Sequence, residues 1–179
     1  MMMITKKNPM RGIRVEKITL NIGAGKDEDI LKRGIKLIKK LTGIEPLKTI
    51  THKRIPAWGL RPGLSIGCKL TLRGETAAVL LRRLLGAREN KLGAHQFDKE
   101  GNFSFGIREY IDVPGLDYDP EIKIMGFEVA VTLGRPGFRV KRRRVQQRTI
   151  PPHHRITPTE AAAWVGETFK VTILGEETA

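Results

Sequence analysis

A glycine-rich turn, NIGAGKDED at residues 21–29, comes closest to a chemical motif in this sequence, because it stands between an apolar strand pattern and a helical one. A dinucleotide-binding fingerprint needs a third glycine three residues after Gly25, where the chain has Glu28. A Walker loop needs a glycine at Leu20, and it needs a Ser or Thr hydroxyl for Mg²⁺ where Asp27 places a carboxylate. The segment therefore fails both phosphate-binding patterns.

Without those residues the turn is more simply a tight strand-to-helix connection, in which glycine allows a positive φ or a close approach. A second interpretation is that Asn21, with Gly23 and the bare backbone amides beside it, contacts an RNA backbone, which requires no catalytic geometry. A nucleotide-binding protein or enzyme that uses the GAGKDE turn remains the alternative from another functional class.

Other reactive side chains give no catalytic arrangement. Cys68 falls on the apolar phase of its strand and is expected to be a buried structural thiol. Four histidines and one cysteine lack the spacing of metal ligands. The carboxylates of residues 112–121 flank prolines and a glycine, as in a loop. We therefore expect no enzyme, no metal, no cofactor and no small-molecule substrate.

The loop HKRIPAWGLRPG, residues 52–63, is the strongest candidate for binding. Two prolines stiffen it, and Trp58 stands among cations. An indole can stack on a base while the cations meet phosphates, although Trp58 could equally pack under its own loop. The predicted contacts of the loop are His52 and the cations Lys53, Arg54 and Arg61.

Charge is unevenly distributed along the 179 residues, which carry 33 Lys and Arg against 19 Asp and Glu and a formal net charge of +14. Two segments contain no acid: the first basic segment, residues 46–74, carries +6, and the second basic segment, residues 129–159, carries +8. Residues 98–128 between them hold eight acids and three bases. Ordinary surfaces intersperse both signs, so this polarity predicts a polyanionic partner such as nucleic acid, RNA or, less well supported, DNA.

The single cysteine excludes an internal disulfide and fits a reducing cytosol. The sequence has no run of about 18 apolar residues and no apolar region of a secretory signal, so we expect a cytoplasmic protein without a membrane partner.

Alternating apolar residues predict strands, and a 3.6-residue period predicts amphipathic helices. The strand at 13–22 changes phase near Glu16, which indicates two short strands or a β-bulge. Gly43 and Gly86 are placed as helix stops, and TPTE at 157–160 resembles a capping box. Strands are expected at 13–22, 46–51, 64–73, 102–107 and 126–133, helices at 27–42, 75–85 and 157–164, and a final strand within FKVTIL.

These elements predict an α+β fold: a two-layer, mainly antiparallel twisted sheet of four to five strands with helices on one face, plus a basic loop and a C-terminal tail. The uncovered face would present Lys69, Thr71 and Arg73, as an RNA platform does. We expect a basic N-terminal extension at 1–12, an α+β RNA-binding domain at 13–134, and a basic C-terminal segment at 135–179 packed on or beside it.

Four ordered motifs resemble a known family: KITLNIGAGK, TITHKRIPAWGLRPGLSIGCKLTLRGE, FDKEGNFSFGIREYIDVPGLDYDP and IMGFEVAVTL. Together they are similar to the universal large-subunit ribosomal proteins that bind 5S ribosomal RNA, the L-five family, over roughly residues 15–133. The tail from KRRR to HRITPTEAAAW resembles the archaeal and eukaryotic branch.

The resemblance implies a non-enzymatic role in the cytoplasmic large ribosomal subunit: attachment of 5S rRNA in the central protuberance, beside large-subunit rRNA and neighbouring 5S-rRNA-binding ribosomal proteins. It also implies that the loop tip, residues 53–61, approaches the P-site tRNA. The 5S rRNA contacts it implies are Asn21, Gly23, Thr49, Thr51, Trp58, Lys69, Thr71 and Arg73. In the tail, the predicted rRNA contacts are Arg139, Lys141, Arg142, Arg143, Arg144, Arg148, His153 and His154.

Overall fold

A computed structural model describes residues 8–175, so the first seven residues of the predicted N-terminal extension and the last four of the tail lie outside the described residues. The predicted strands and helices occur in the predicted order, and one short strand, β4, was not predicted. The strands are β1 Arg14–Gly23, β2 Leu47–Ile50, β3 Ser65–Arg73, β4 Lys91–Gly93, β5 Phe103–Ile107, β6 Phe127–Gly134 and β7 Thr172–Leu174; the helices are α1 Glu28–Thr42, α2 Gly74–Gly86 and α3 Pro158–Phe169.

Five strands form one antiparallel sheet in the order β2-β3-β1-β6-β5, which confirms the predicted α+β class. The register of β1 against β6 shifts between Val15 and Lys17, so the predicted phase change is a β-bulge. β7 adds a short parallel pair with β4, outside the main sheet. The long central strand β1 therefore holds the sheet together through its pairing with β3 and β6.

The core lies between one sheet face and the helices α1 and α2. Alternation places Ile18, Leu20 and Ile22 of β1 on that face, fully or almost fully buried. The α2 residues Leu81 and Leu84 pack against the same core, also with no exposure. Replacement of a leucine buried in this way by alanine lowers the free energy of unfolding by about 2–5 kcal/mol. Because the helices make these contacts with one face of the sheet, the opposite face stays open.

The second basic segment and the helix after it join this core rather than extending away from it. Ile156, Ala161, Val165 and Val171 are buried in the same apolar cluster as the sheet. The buried Arg135 lies at the point where the chain leaves β6. The tail is thus packed against the sheet domain.

One predicted helix stop and one predicted capping motif differ from the structure. α1 ends as predicted at Gly43, which has a φ of 74°. α2, however, runs through Gly86, and its cap is Ala87 in right-handed conformation, so Gly86 is not a left-handed stop. At α3, Thr157 accepts a bond from the Glu160 amide at 3.3 Å, but the Glu160 carboxylate pairs with Arg135. Because a buried guanidinium takes that carboxylate, only half of the capping box forms.

Candidate nucleic-acid interface

The sheet face opposite the helices is open and polar. Strand alternation that buries Ile18 and Leu20 necessarily turns their neighbours to this face. Cross-strand register then places the side chains of β1 and β3 in three adjacent rows. These rows are Lys17 opposite Arg73, Thr19 opposite Thr71, and Asn21 opposite Lys69. The predicted contacts Asn21, Lys69, Thr71 and Arg73 are therefore brought together on one exposed surface.

Polar groups in these rows are only weakly engaged within the chain. The hydroxyl oxygens of Thr19 and Thr71 lie 3.4 Å apart, and the Asn21 side-chain amide donates to the Glu128 carboxylate at 3.4 Å. Both distances are at the long end for hydrogen bonds. Hydroxyl and amide groups held in this way can exchange an internal bond for one to a phosphate or a ribose hydroxyl.

Glycines keep part of the open face flat. A Cβ on Gly67 would lie 2.5 Å from the Ile22 carbonyl oxygen and 3.1 Å from the Thr49 hydroxyl, so β3 can approach its neighbours only without a side chain there. Gly23, directly opposite Gly67, has no atom within 4 Å of its Cβ position. A ligand can therefore reach the backbone at this end of the sheet.

The basic loop forms an ordered hairpin beside this end of the sheet. Ile55 and Leu60 exchange backbone hydrogen bonds of 3.1 Å in both directions, and Leu60 is buried beneath the loop. Gly59 turns the tip with a φ of 66°. Trp58 remains 68% exposed, so the alternative in which it packs under its own loop is wrong for this structure. His52, Lys53, Arg54 and Arg61 are exposed around it.

The two predicted threonine contacts at the end of β2, Thr49 and Thr51, differ in exposure. Thr49 is half-buried on β2, but Thr51 is only 8% exposed and its hydroxyl donates to the Lys53 carbonyl at 3.1 Å. The Gly63 amide also donates to the Thr51 carbonyl at 2.9 Å. Thr51 therefore hydrogen-bonds to residues at both ends of the loop, and its buried side chain holds the loop in position.

The glycine-rich turn does not present all its amides to a ligand. Those of Ala24 and Gly25 both donate to the Ile66 carbonyl, at 2.9 and 3.1 Å. The turn instead contributes Lys26, whose Cδ lies 3.7 Å from the Cβ position of Gly59. Sequence reasoning missed Lys26 as part of the loop surface. The signal was available, because antiparallel pairing of β1 and β3 puts the turn after one strand beside the loop before the other.

In the second basic segment several predicted rRNA contacts have partners within the chain. Arg135 is buried, donates to the His154 and Arg155 carbonyls at 3.2 Å each, and pairs with Glu160. Lys141 pairs with Glu100 at 2.8 Å, and Arg142 pairs with Glu16. The tail residues with such internal contacts are Lys141, Arg142, Arg143 (to the Gln146 carbonyl) and His154, whereas Arg139, Arg144, Arg148 and His153 are exposed and make no side-chain hydrogen bond or salt bridge among the described residues.

His154 is half-buried, and its ring lies against other tail residues. Its Nε2 is 3.1 Å from the Pro136 carbonyl oxygen, and its ring meets Phe138 edge-on with centroids 5.8 Å apart. The neighbouring His153 is exposed. Of the two adjacent histidines, therefore, His153 is the one accessible to a ligand.

The side chains that were considered for catalysis or metal binding do not form a reactive site among the described residues. Cys68 is fully buried, and burial raises the pKa of its thiol to about 11, which keeps it protonated at neutral pH. Within residues 8–175, no three His, Cys, Asp or Glu side chains come together as metal ligands would. No helix in that range is both long and apolar enough to cross a membrane.

Two family models match the chain: "Ribosomal protein L5" over residues 8–61, and the model for the C-terminus of the same ribosomal family over residues 65–159. Among curated proteins, the large ribosomal subunit protein uL5 of Sulfurisphaera tokodaii is 46% identical over 168 residues, covering 93% of this chain and 95% of the relative. That of Nanoarchaeum equitans is 46% identical over 169 residues, covering 94% and 99%. That of Methanosphaera stadtmanae is 44% identical over 166 residues, covering 93% and 99%.

The matches extend over the open sheet face, the basic loop and most of the tail, so they include every element that carries the predicted interface. Both the L-five resemblance and its archaeal character are confirmed. The family consists of structural ribosomal proteins, which confirms the prediction of a non-enzyme. This chain therefore belongs to the L5 family of ribosomal proteins.

Proposed function

We propose that the open sheet face of this chain binds 5S rRNA and helps to attach it in the central protuberance. As a family member, the chain is a structural component of the large ribosomal subunit in the cytoplasm. The observation that carries the proposal is the set of three rows in which Lys17, Lys69 and Arg73 surround Thr and Asn side chains. Cations there would neutralise phosphates, while hydroxyl and amide groups would meet phosphate and 2′-hydroxyl oxygens.

The basic loop is proposed to contact the P-site tRNA. Lys53, Arg54 and Arg61 are exposed on this loop, and Lys26 lies beside its tip from the neighbouring turn. Such cations would bind the phosphates of the tRNA, whereas Trp58 is proposed to stack on a base of 5S rRNA. The exposed tail cations would in turn meet large-subunit rRNA near the neighbouring 5S-rRNA-binding proteins.

A filter-binding titration over a range of salt concentrations tests the 5S proposal. The variant Lys17→Ala/Lys69→Ala removes two cations from the open face, and Lys32→Ala/Lys39→Ala removes two from the exposed side of α1. The face variant is expected to reduce the slope of log K against log salt by roughly 0.7–0.9 for each phosphate that is no longer neutralised, while the α1 variant keeps the wild-type slope. Equal slopes for the two variants, or equal affinity for 5S rRNA, unrelated RNA and duplex DNA, would contradict the proposal.

Reconstituted large subunits test the loop separately. Lys53→Ala/Arg54→Ala is expected to weaken P-site tRNA binding without loss of 5S rRNA from the subunit, because the loop hairpin is held by backbone bonds and Leu60. The Lys32→Ala/Lys39→Ala variant again serves as the charge-matched control. Unchanged tRNA affinity in the loop variant would refute the tRNA contact alone.

A further inference from the structure

A cavity of about 470 Å³ opens where β1 ends, β6 begins and β5 ends, at the border of the open face. Its volume is within the range of small-ligand sites. One carboxylate and two guanidinium groups line it over a floor of bare backbone. The residues used below are Asn21, Gly23, Arg88, Gly106, Arg108 and Glu128.

We propose that this cavity holds one extruded guanosine of the bound RNA, with the base edge on Glu128 and the phosphate at Arg88 and Arg108. The proposal deepens the RNA-binding function above and rests on it. The proposal adds a base-specific contact to a surface whose other side chains are proposed to bind only phosphate and ribose groups.

Glu128 is the residue that requires an explanation. It lies in the same row as Asn21 and Lys69, so a negative charge faces the surface offered to a polyanion. Among the described residues its polar partner is Asn21, at 3.4 Å, which leaves most of its acceptor capacity unused. Near phosphates such a carboxylate weakens binding unless it accepts hydrogen bonds from the ligand.

Guanine matches a carboxylate better than the other bases do. Its Watson–Crick edge presents two adjacent donors, N1–H and N2–H, which two carboxylate oxygens can accept together. Adenine and cytosine each offer one amino group beside an acceptor nitrogen, and uracil offers one N–H between two carbonyls. Glu128 therefore favours guanine over all three.

The floor and rim of the cavity fit the rest of a nucleotide. Gly23 and Gly106 have no atom within 4 Å of their Cβ positions, so a flat base can approach the backbone. Arg88 and Arg108 have no acidic partner within salt-bridge distance among the described residues, and the buried Nε of Arg88 has no hydrogen-bond partner there. A guanidinium fork binds phosphate oxygens in pairs, so these two side chains provide a phosphate site beside the carboxylate.

The direction in which Glu128→Gln changes the affinity for 5S rRNA distinguishes guanine recognition from simple charge repulsion. Glu128→Gln and the control Glu109→Gln each remove one negative charge, but Glu109 is exposed and does not line the cavity. Electrostatics alone makes both variants bind 5S rRNA more tightly. If the cavity recognises guanine, Glu128→Gln is expected to bind 5S rRNA about 5- to 100-fold more weakly, because the NH₂ group of glutamine would face a guanine N–H instead of accepting a hydrogen bond from it. Glu109→Gln is not expected to weaken binding. Tighter or unchanged binding by Glu128→Gln overturns the cavity assignment and leaves 5S binding intact.

A second measurement does not depend on 5S rRNA. Fluorescence anisotropy with short uridine oligomers that carry one central guanosine, inosine or adenosine reads the cavity directly. The wild-type protein is expected to prefer guanosine over inosine, which lacks N2–H, and over adenosine, and Glu128→Gln is expected to lose that preference. Equal affinity for the three oligomers overturns the cavity assignment. A guanosine preference without a preference for 5S rRNA upholds the cavity and overturns the proposed function instead.

Discussion

In the first basic segment, Lys53, Arg54 and Arg61 reach solvent with no acidic partner among the described residues, whereas in the second Lys141 and Arg142 each hold a carboxylate. Both segments lack acids, and they carry +6 and +8, respectively. Their cations nevertheless serve different ends. The first segment leaves its loop cations exposed, and the second uses several of its cations in ion pairs that fasten the tail.

Topology explains the difference. The first segment runs from the edge strand β2 into β3, so its loop and one face of its strand project into solvent. The second segment leaves β6 and folds back across the sheet domain, where it meets Glu16 from β1 and Glu100 before β5. Glu16 also lies 3.7 Å from Arg73, so one carboxylate touches both segments. Cations of a segment that has no acids can thus form ion pairs with carboxylates from distant parts of the chain.

The largest expected effect is the loss of the anchor of the second segment. Arg135→Ala removes a guanidinium whose side chain is 3% exposed, and it leaves two backbone carbonyls without a donor. We expect a loss of about 3 kcal/mol in the free energy of unfolding, measured by urea denaturation.

Arg139→Ala is the matched control, because Arg139 is an exposed arginine of the same segment. Its free energy of unfolding should stay within about 0.5 kcal/mol of the wild type. Equal stability of the two variants would mean that internal pairing does not fasten the tail, and the contrast between the segments would disappear.

Trp58→Ala tests the first segment, where an effect on binding rather than on stability is expected. The indole is 68% exposed, so its removal should leave the urea midpoint unchanged. If it stacks on a base, affinity for 5S rRNA falls by about 1–3 kcal/mol. Quenching of Trp58 fluorescence by RNA, in a Trp164→Phe background that removes the other indole, gives an independent measurement. Unchanged affinity together with unquenched emission would exclude stacking on this RNA.

Much of the fold was predictable because it depends on local pattern. Alternation in 64–73 predicted both the strand and its buried cysteine, and Gly43 predicted the end of α1. The exposed face of β3 followed from the same alternation.

The pairing of charges was not predictable, because it depends on which distant acids the fold brings near. Glu100 and Lys141 are 41 residues apart, and Glu16 and Arg142 are 126 apart. Nothing in the local sequence distinguishes Lys141, which is paired with Glu100, from Arg139, which has no acidic partner among the described residues. Lys26 was missed for the related reason that its place beside the loop follows from strand pairing.

Two lysines, one in each segment, give a direct comparison of a smaller effect. Lys141→Ala breaks an exposed ion pair and should lower the free energy of unfolding by about 0.2–1 kcal/mol. Lys69→Ala should leave stability unchanged and reduce the salt slope of 5S rRNA binding by roughly 0.7–0.9. Measuring both properties on both variants completes the comparison. A greater reduction of the slope for Lys141→Ala than for Lys69→Ala would reverse the assigned roles.

The smallest expected effect concerns the acidic segment between the two basic ones. Asp119 accepts a bond from the Glu121 amide at 3.0 Å and pairs with Lys40 of α1 at 3.2 Å. The Glu121 amide first, and then Lys40, hold the pKa of the Asp119 carboxyl below its usual value of 3.8. Because the folded-state pKa is lowered, its stabilising contribution is complete above the unfolded value and is lost as pH falls through the folded one.

The urea midpoint should therefore fall more between pH 5 and pH 3 for the wild type than for Asp119→Asn, which keeps an acceptor for the Glu121 amide but cannot titrate. The protonation of other carboxylates affects both proteins, so the difference between them isolates Asp119. The first basic segment has no acid to titrate, and its loop cations have no acidic partner among the described residues, so the backbone-held hairpin of the loop should be insensitive over this range. A parallel decline of wild type and variant would show that the Asp119–Lys40 pair does not fasten α1.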